Sequence, residues 1–476
     1  MELYKEKKLI KLFESWANEK AERIDPLPPS GSYREYYRIK GASQGAIAVF
    51  NPDYKENLAF IQFARHFRQH SLKVPEIYAE NTADNMYLIQ DLGDQTLFDY
   101  LIKVYQNGIF PRNLIDIYKK VIAELPRFQI IAGKDLDYKY CYPRMRFDKR
   151  SMMWDLNYFK YYFLKLAKVS FDEQELEDDF QKFSDYLLTA PSDFFLYRDF
   201  QSRNIMLVEN EPYFIDFQGG RKGALQYDIA SLLYDAKADI PQHIRLDLLD
   251  EYLEQLSRFI QFDRDEFISY FWGFVLIRIM QAMGSYGFRG FYEKKEHFLR
   301  SIPFAIANLQ YILQTVTLPI DIPTLWKVLQ NLPGSPHLKA LQQPQRRLKV
   351  SINSFTYKKG IPADPSGNGG GFVFDCRAIL NPGRYEKYKM LDGRDKEVID
   401  FLENQANIKE FMEHVYGLVD RSVANYLERK FTSLVVNFGC TGGQHRSVYC
   451  AEQLAAHLKA KFDVQIELHH LELEQQ

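Results

Sequence analysis

The sequence predicts two units of different fold class: a bilobal α+β domain and, after it, a small α/β domain. Three observations lead there. Alternating apolar and polar residues at Tyr36 to Lys40, Ala46 to Phe50 and Tyr87 to Gln90 read as strands, and they precede long stretches of helical periodicity from Leu97 to Leu188 and from Gln226 to Leu313. Pro and Gly then crowd Leu318 to Pro344, around at most one short helix near Leu325 to Leu332. Beyond that break the pattern becomes strand, helix, strand, helix over Gly371 to Asp375, Lys396 to Glu428, Ser433 to Asn437 and Ser447 to Lys461. The expected boundaries are 1–336 for the first domain, with a small lobe to about residue 95 and a helical lobe from about 96; 337–350 for a linker; and 351–476 for the second domain.

With 476 residues and 46% hydrophobic content, the chain has material for two or three real cores. No segment reads as membrane-spanning: the most apolar run, Phe267 to Met280, is short and carries Arg278. The first residues mix both signs of charge ahead of an amphipathic stripe of Leu9, Leu12, Phe13 and Trp16, unlike a secretory signal. Cys141, Cys376, Cys440 and Cys450 show neither metal-ligand spacing nor a disulfide framework, which fits a reducing, cytoplasmic setting. The net charge of −2 hides an asymmetry, because Gln342 to Arg394 holds ten Lys or Arg against four Asp or Glu. That basic segment points to an anionic partner, RNA or protein, near the C-terminal part.

Taken in chain order, the small lobe offers a Ser30-Gly31-Ser32 turn whose backbone N–H groups could cover phosphates. A hairpin centred near Ser43 or Gln44 follows, which would place Arg34, Tyr36 and Arg38 on the sheet face of Phe50. Glu56, at the start of the next helix, is the natural ion-pair partner for Arg34 or Arg38. Further on, Phe194 to Leu196, Ile205 to Val208 and Tyr213 to Ile215 read as short buried strands bounding a turn. They carry Asp199, Asn204 five residues later, and Asp216 at the end of the last strand. That order and spacing suit phosphoryl transfer: one Asp takes the acceptor hydroxyl's proton, while the Asn and the second Asp hold a metal ion against the phosphates. Acceptor-recognising groups should come from the helical lobe, with Arg146, Asp155, Arg278, Gln281 and the aromatic stretch Trp154 to Phe163 as candidates.

These residues, with Val74-Pro-Glu-Ile-Tyr, Gln90-Asp-Leu-Gly-Asp-Gln-Thr and Tyr227-Asp-Ile-Ala-Ser-Leu-Leu, make residues 1 to about 336 resemble the aminoglycoside phosphotransferase and choline kinase superfamily, most closely its bacterial N-acetylmuramate/N-acetylglucosamine kinase branch. The resemblance implies a protein-kinase-like fold, ATP and Mg2+ as cofactors, and an amino sugar of cell-wall recycling as substrate. It implies that Gln90, Asp91 and Leu92 form the hinge that meets adenine, and that Asp228 braces the catalytic loop. Two departures stand out. Tyr197 replaces the usual His, and Ala46-Ile-Ala-Val-Phe-Asn-Pro lacks the lysine that grips the phosphates, with Phe50 in its place. Arg34 or Arg38 is the expected substitute, since a guanidinium fork suits phosphate oxygens.

In the C-terminal part, Phe438-Gly-Cys-Thr-Gly-Gly-Gln-His-Arg-Ser-Val sets a glycine-rich turn between a buried strand and an amphipathic helix, an arrangement that converges N–H groups and the helix dipole on an anion. The same letters spell C-x-x-G-x-x-R-S, the signature of cysteine-dependent phosphatases, although Gly439 replaces the usual preceding His and only Asp392 or Asp395 offers a general acid. Together with Ser354-Phe-Thr-Tyr-Lys-Lys-Gly-Ile-Pro, Phe374-Asp-Cys-Arg, Asn381-Pro and Asp392-Gly-Arg-Asp-Lys, the loop makes Ser351 to the end resemble the C-terminal domain of the RNase adapter protein RapZ. The resemblance implies a domain sensing a phosphorylated amino sugar, with Asp375 and Arg377 reading the sugar and Thr441, Gly442, Gly443, His445 and Arg446 holding the phosphate. It also implies RNA or protein partners. The expected whole is a sugar kinase fused to a sugar-phosphate sensor. The competing readings are a pseudokinase scaffold with a regulatory module, and a kinase fused to a phosphatase.

Overall fold

The computed structural model describes residues 2–28, 34–105, 109–342, 348–362, 371–406, 408–429 and 431–474. The Ser30-Gly31-Ser32 turn lies outside these residues. The chain divides into two compact units, Met1–Gln342 and Gln343–Gln476.

The first unit opens with helix α1 (Glu2–Ala17) and a five-stranded antiparallel sheet, β1 (Arg23–Pro26), β2 (Glu35–Lys40), β3 (Gly45–Phe50), β4 (Ile77–Asn81) and β5 (Met86–Ile89), in the order β1-β2-β3-β5-β4. The side-chain period of two divides the sheet into two cores. Leu9, Phe13 and Ala17 of α1 pack on Tyr37, Ile39, Ala46, Ala48, Met86 and Leu88, whereas Ile47, Val49, Tyr87 and Ile89 face the other way, into the main core. In the β2–β3 register Glu35 pairs with Phe50, Tyr36 with Val49 and Arg38 with Ile47. That register corrects the expectation for this hairpin. Phe50 lies on the α1 face with Glu35 and Tyr37, with Lys5 Nζ 4.9 Å above its ring, while Arg34, Tyr36 and Arg38 lie on the opposite, inward face. Val49 and Ile47 are therefore the inward residues of β3, and neither carries charge.

Helix α2 (Tyr54–Gln69) starts where the Asp53 carboxylate accepts from the N–H groups of Lys55 and Glu56, satisfying two of the first-turn donors. Its buried Phe60, Phe63 and Phe67 dock on the catalytic segments: Phe60 stacks on Phe217 at 4.9 Å, and Phe67 meets Phe128, Phe195 and Phe217 edge-on. Each such pair adds about 0.5–1.5 kcal/mol beyond area burial. The helical lobe follows, with the strand pair β6 (Phe194–Leu196) and β9 (Arg221–Gly223) and the hairpin β7 (Ile205–Val208) and β8 (Glu211–Phe214) among its helices. One helix, Arg264–Tyr292, is long and apolar enough to cross a membrane, and Phe267, Phe271, Phe274, Leu276 and Met280 on it are core. Residues 336–342, in the expected linker, form a helix that buries Leu338.

The second unit is a parallel four-stranded sheet of β10 (Lys349–Thr356), β11 (Phe372–Asp375), β12 (Ser433–Cys440) and β13 (Gln465–His470), ordered β11-β12-β10-β13 and packed against helices Lys396–Gln405, Ile408–Glu428 and Arg446–Lys461. The strand character of β10 and β13 was not read from the sequence. Because the strands are parallel, the segments after β10, β11 and β12 emerge at one edge of the sheet, where open α/β sheets bind ligands.

Candidate functional site

In the first unit, β6 leads into residues 197–204 and the β7–β8 hairpin brings the chain back to Asp216. Asn204 joins the two halves: its Nδ2 donates to Asp199 O (2.9 Å) and to Asp216 Oδ2 (3.2 Å). Both turns are bent into the left-handed region, with φ +83° at Arg198 and +67° at Asp216, conformations that cost a non-glycine residue about 1–3 kcal/mol. The neighbours that hold them are explicit. The fully buried Asp228 carboxylate accepts from Tyr197 N (2.8 Å), Arg198 N (3.0 Å) and Gln129 Nε2 (3.2 Å). Tyr197, in the place of the usual His, donates its hydroxyl to Ile215 O at 2.7 Å and so ties the loop to the residue before Asp216. Arg198 donates to Asp155 Oδ1 (2.8 Å) and to the Tyr227 hydroxyl (2.7 Å).

The positive charge arrives from the start of β2. Arg34, 8% exposed, donates to Glu56 Oε1 at 2.5 Å, to Asp216 Oδ1 at 3.1 Å and to the Tyr36 hydroxyl at 3.2 Å. Burial works against its charge, but Tyr36, Asp216 and Glu56 outweigh it and hold the guanidinium protonated well above the usual range. Arg38 does other work: its fork is spent on Asp91 (2.7 and 3.0 Å) and Asp94 (2.7 Å), which braces the segment after β5. The backbone N–H of Gln90 donates to Glu76 O at 2.9 Å, and Leu92 is buried beside it.

Burial, then the charge of Asp216, pushes the Asp199 carboxyl above its ordinary value, while Arg198, Arg278 and Arg221 draw it down. Asn204 spends its amide nitrogen on protein, so its Oδ1 and the Asp216 carboxylate form a hard-oxygen donor set that suits a magnesium-class ion. Of the acceptor candidates, Arg278 is the one whose charge reaches Asp199; its Nε donates to Ser231 Oγ (2.9 Å) and its Nη1 to Gln281. Arg146 instead pairs with exposed Asp193 at 2.6 Å, and buried Asp155 accepts from Arg198 through Oδ1 while its Oδ2 has no partner. Within the aromatic stretch, Phe159 and Phe163 are core while Trp154 is exposed and stacks on Tyr158. Sequence reasoning missed Gln218, which donates to Asp216 Oδ1 at 2.6 Å, Gln129 beneath Asp228, and Arg221; isolated polar residues between apolar ones were the only signal.

The second unit has its own site at the carboxyl edge of the sheet. A cavity of about 320 Å³ is lined by Lys358, Asn381, Lys389, Thr441, His445 and Arg446, among others. Gly443 holds φ +68°, and a side chain on Gly439 would strike the Tyr357 and Phe355 rings, which excludes a His there. Arg446, 3% exposed, spends Nη1 on the carbonyls of Arg377 (3.0 Å) and Ile379 (2.8 Å), and its Nε is buried without a partner. Its Nη2 donates to Thr441 Oγ1 at 3.4 Å, so Nε is the nitrogen of this guanidinium left unsatisfied. His445 Nε2 lies 2.9 Å from Tyr388 O. Asp375 and Arg377 are a correction: they bind each other at 2.6–3.0 Å, with Arg377 over the Tyr357 ring, and do not line the cavity. Cys440 Sγ accepts from Gly443 N (3.1 Å) and contacts Ser447 Oγ (3.2 Å); burial opposes ionisation, but Ser447 and the loop N–H groups outweigh it and lower the thiol. Asp392 is held by Arg394, and Asp395 accepts from the Asp392 N–H; among the described residues no carboxylate lines the cavity.

Comparison with known proteins places both units. The phosphotransferase enzyme family matches residues 24–266. The chain belongs to that family. Residues 348–474 match the RapZ C-terminal domain. Curated relatives include a nucleotide-binding protein of Ruegeria sp., 41% identical over 128 residues (27% of this chain, 41% of its own), and one of Hahella chejuensis, 29% identical over 179 residues (37% and 60%). The chain thus spans two to three fifths of the length of these relatives. Similar solved structures include the choline kinase of Streptococcus pneumoniae, 13% identical, TM-score 0.41, covering 63% of this chain and 99% of that one, and an amicoumacin kinase, 13% identical, TM-score 0.43, covering 64% and 92%.

In this phosphotransferase, burial pushes the Asp228 carboxyl up to about 7 against the pull of its three donors. Between the ordinary value of 3.8 and about 7 the folded protein keeps a proton that the unfolded chain has lost, so this group's contribution to stability falls as pH rises through that window. Urea denaturation from pH 4 to 7 should therefore show a steeper decline for wild type than for Asp228→Asn, which cannot ionise; parallel curves would mean another group titrates.

Proposed function

We propose that this chain is an ATP- and Mg2+-dependent amino-sugar kinase, of the N-acetylmuramate/N-acetylglucosamine type used in cytoplasmic cell-wall recycling, whose second domain binds a phosphorylated amino sugar. The observation that carries the kinase reading is Arg34, which reaches Glu56 and Asp216 together. A pseudokinase reading rested on a missing lysine, and a buried guanidinium in contact with the helix glutamate and the metal-site carboxylate supplies that charge from another strand.

In the proposed reaction Asp199 takes the proton of the acceptor hydroxyl as it attacks the γ-phosphorus. Its raised pKa brings it nearer the working pH of a general base. Arg34 turns its fork to the α- and β-phosphates while Glu56 keeps it aimed, and the backbone at Asp91 and Leu92 meets adenine. Asn204 and Asp216 would hold Mg2+, which neutralises charge on the phosphates. Arg278 and Gln281 orient the acceptor. The amino-sugar assignment rests on the sequence resemblance.

In the second domain, Arg446, the loop N–H groups, Lys358 and Lys389 would receive the phosphate, and Asn381 and His445 the sugar. The basic residues around this site would serve an RNA or protein partner. Cys440 has a thiolate-favouring setting, but with no carboxylic acid among the described residues lining the cavity to protonate a leaving group, binding without turnover is the reading the site supports.

Steady-state turnover with ATP and a panel of amino sugars tests the kinase. Asp199→Asn should lower kcat by about 10²-fold or more with little change in nucleotide affinity; near-wild-type turnover would remove the assignment. Arg34→Ala should raise KM for ATP and lower kcat, and Arg34→Lys should recover little, since one ammonium cannot reproduce the fork. For the second site, calorimetry with an amino-sugar phosphate should show Arg446→Ala losing on the order of 2 kcal/mol and Cys440→Ser nearly none; phosphate release abolished by Cys440→Ser would establish a phosphatase instead.

A further inference from the structure

Away from both sites, α2 ends in a cluster that the kinase reaction does not use. His66 and the capping residue His70 are four apart, hence on one face of the helix, with ring centroids 4.7 Å from each other. Facing them is Asp135, at the end of the short helix Gly133–Asp135 in the helical lobe. Its Oδ1 lies 3.1 Å from His70 Nε2 and 3.6 Å from His66 Nε2. One donor atom from each residue lies within 4.8 Å of the other two, and among the described residues this is the one group of three His, Cys, Asp or Glu so arranged.

As an ion pair the cluster has little value, because Asp135 is 64% exposed and surface pairs contribute about 0–1 kcal/mol. As a ligand set it is well matched. Two imidazole nitrogens and a carboxylate oxygen make the three-ligand pattern of zinc sites that keep a fourth position for water. Tetrahedral bonds of about 2.0–2.1 Å set donors about 3.4 Å apart, so the side chains need close by no more than about 1.5 Å. Imidazole donors favour zinc, copper or nickel over the hard ion of the kinase site. His66 Nε2 also lies 2.7 Å from Ala132 O, a contact that needs a proton on that nitrogen; to ligate a metal the ring must turn from this carbonyl and lose that proton.

We propose that His66, His70 and Asp135 form a second metal site, for a zinc-class divalent cation, that pins the end of α2 to the helical lobe. Because α2 also carries Glu56, the ion would fix the helix that holds the partner of Arg34.

The test is calorimetric titration of metal-stripped full-length protein with Zn2+ in excess Mg2+, alongside thermal melting. One Zn2+ should bind and raise Tm. Asp135→Ala, a change at an exposed position, and His70→Ala should each weaken binding by at least the roughly ten- to hundredfold that loss of a supporting partner costs. Asp135→His, which restores a donor, should bind, and Asp216→Asn should bind as wild type does. The site is refuted if wild type takes up no Zn2+ beyond Mg2+ competition, if Asp135→Ala and His70→Ala bind unchanged, or if Asp216→Asn abolishes binding.

Discussion

The buried carboxylate of Asp228 is the constraint on which the catalytic site depends. By accepting from the N–H groups of Tyr197 and Arg198 it holds a left-handed turn that would otherwise relax, and that turn aims Asp199. Tyr197, fixed by the same carboxylate, carries the constraint onward through its hydroxyl to Ile215, next to Asp216. One fully buried group thus sets the relation between Asp199 and Asp216. The aromatic hub of Phe67, Phe128, Phe195 and Phe217 surrounds these segments, so relaxation of either turn would disturb close-packed rings.

Charge balance explains why two carboxylates persist so near each other. Arg198, Arg221 and Arg278 draw on Asp199, and Arg34 sits on Asp216. Arg34 enters the site from the start of the second strand, on its inward face, where it meets both Glu56 and Asp216. A phosphate or a carboxylate senses where a charge stands, and two neighbouring antiparallel strands offer equivalent routes to that point. Arg38, four residues on and on the same face, is too far along the strand and is absorbed by Asp91 and Asp94.

The second domain uses a different device. Two backbone carbonyls fix one nitrogen of Arg446, which leaves Nε buried and unsatisfied, a cost that an anion would relieve. Burial opposes ionisation of the neighbouring Cys440 thiol, but Ser447 and the N–H groups of the same loop outweigh it and lower the thiol. No carboxylate is among the described residues lining the cavity.

The sequence by itself determined the two family resemblances and the change of pattern between the two units, because these rest on local spacing. Asp199, Asn204 and Asp216 lie on one loop and one hairpin, and residues 440–446 on one turn, so short covalent spacing keeps each group close, while Asp228 and Tyr197 fix the loop and the hairpin relative to each other. The tertiary structure decided what depends on register and on distant partners. Shifting the β2–β3 pairing by one residue moved Phe50 to the outer face and left Arg34 pointing inward, a parity no local pattern specifies. Arg146 and Asp155 read as acceptor candidates in the helical lobe, and Asp375 and Arg377 as sugar-reading residues by resemblance, yet each has an ion-pair partner. For Arg146 and Asp155 that partner lies more than forty positions away, and the meeting of His66 and His70 with Asp135 spans more than sixty. Such encounters follow from how helices and strands pack, which is set by the whole core and not by the residues that meet.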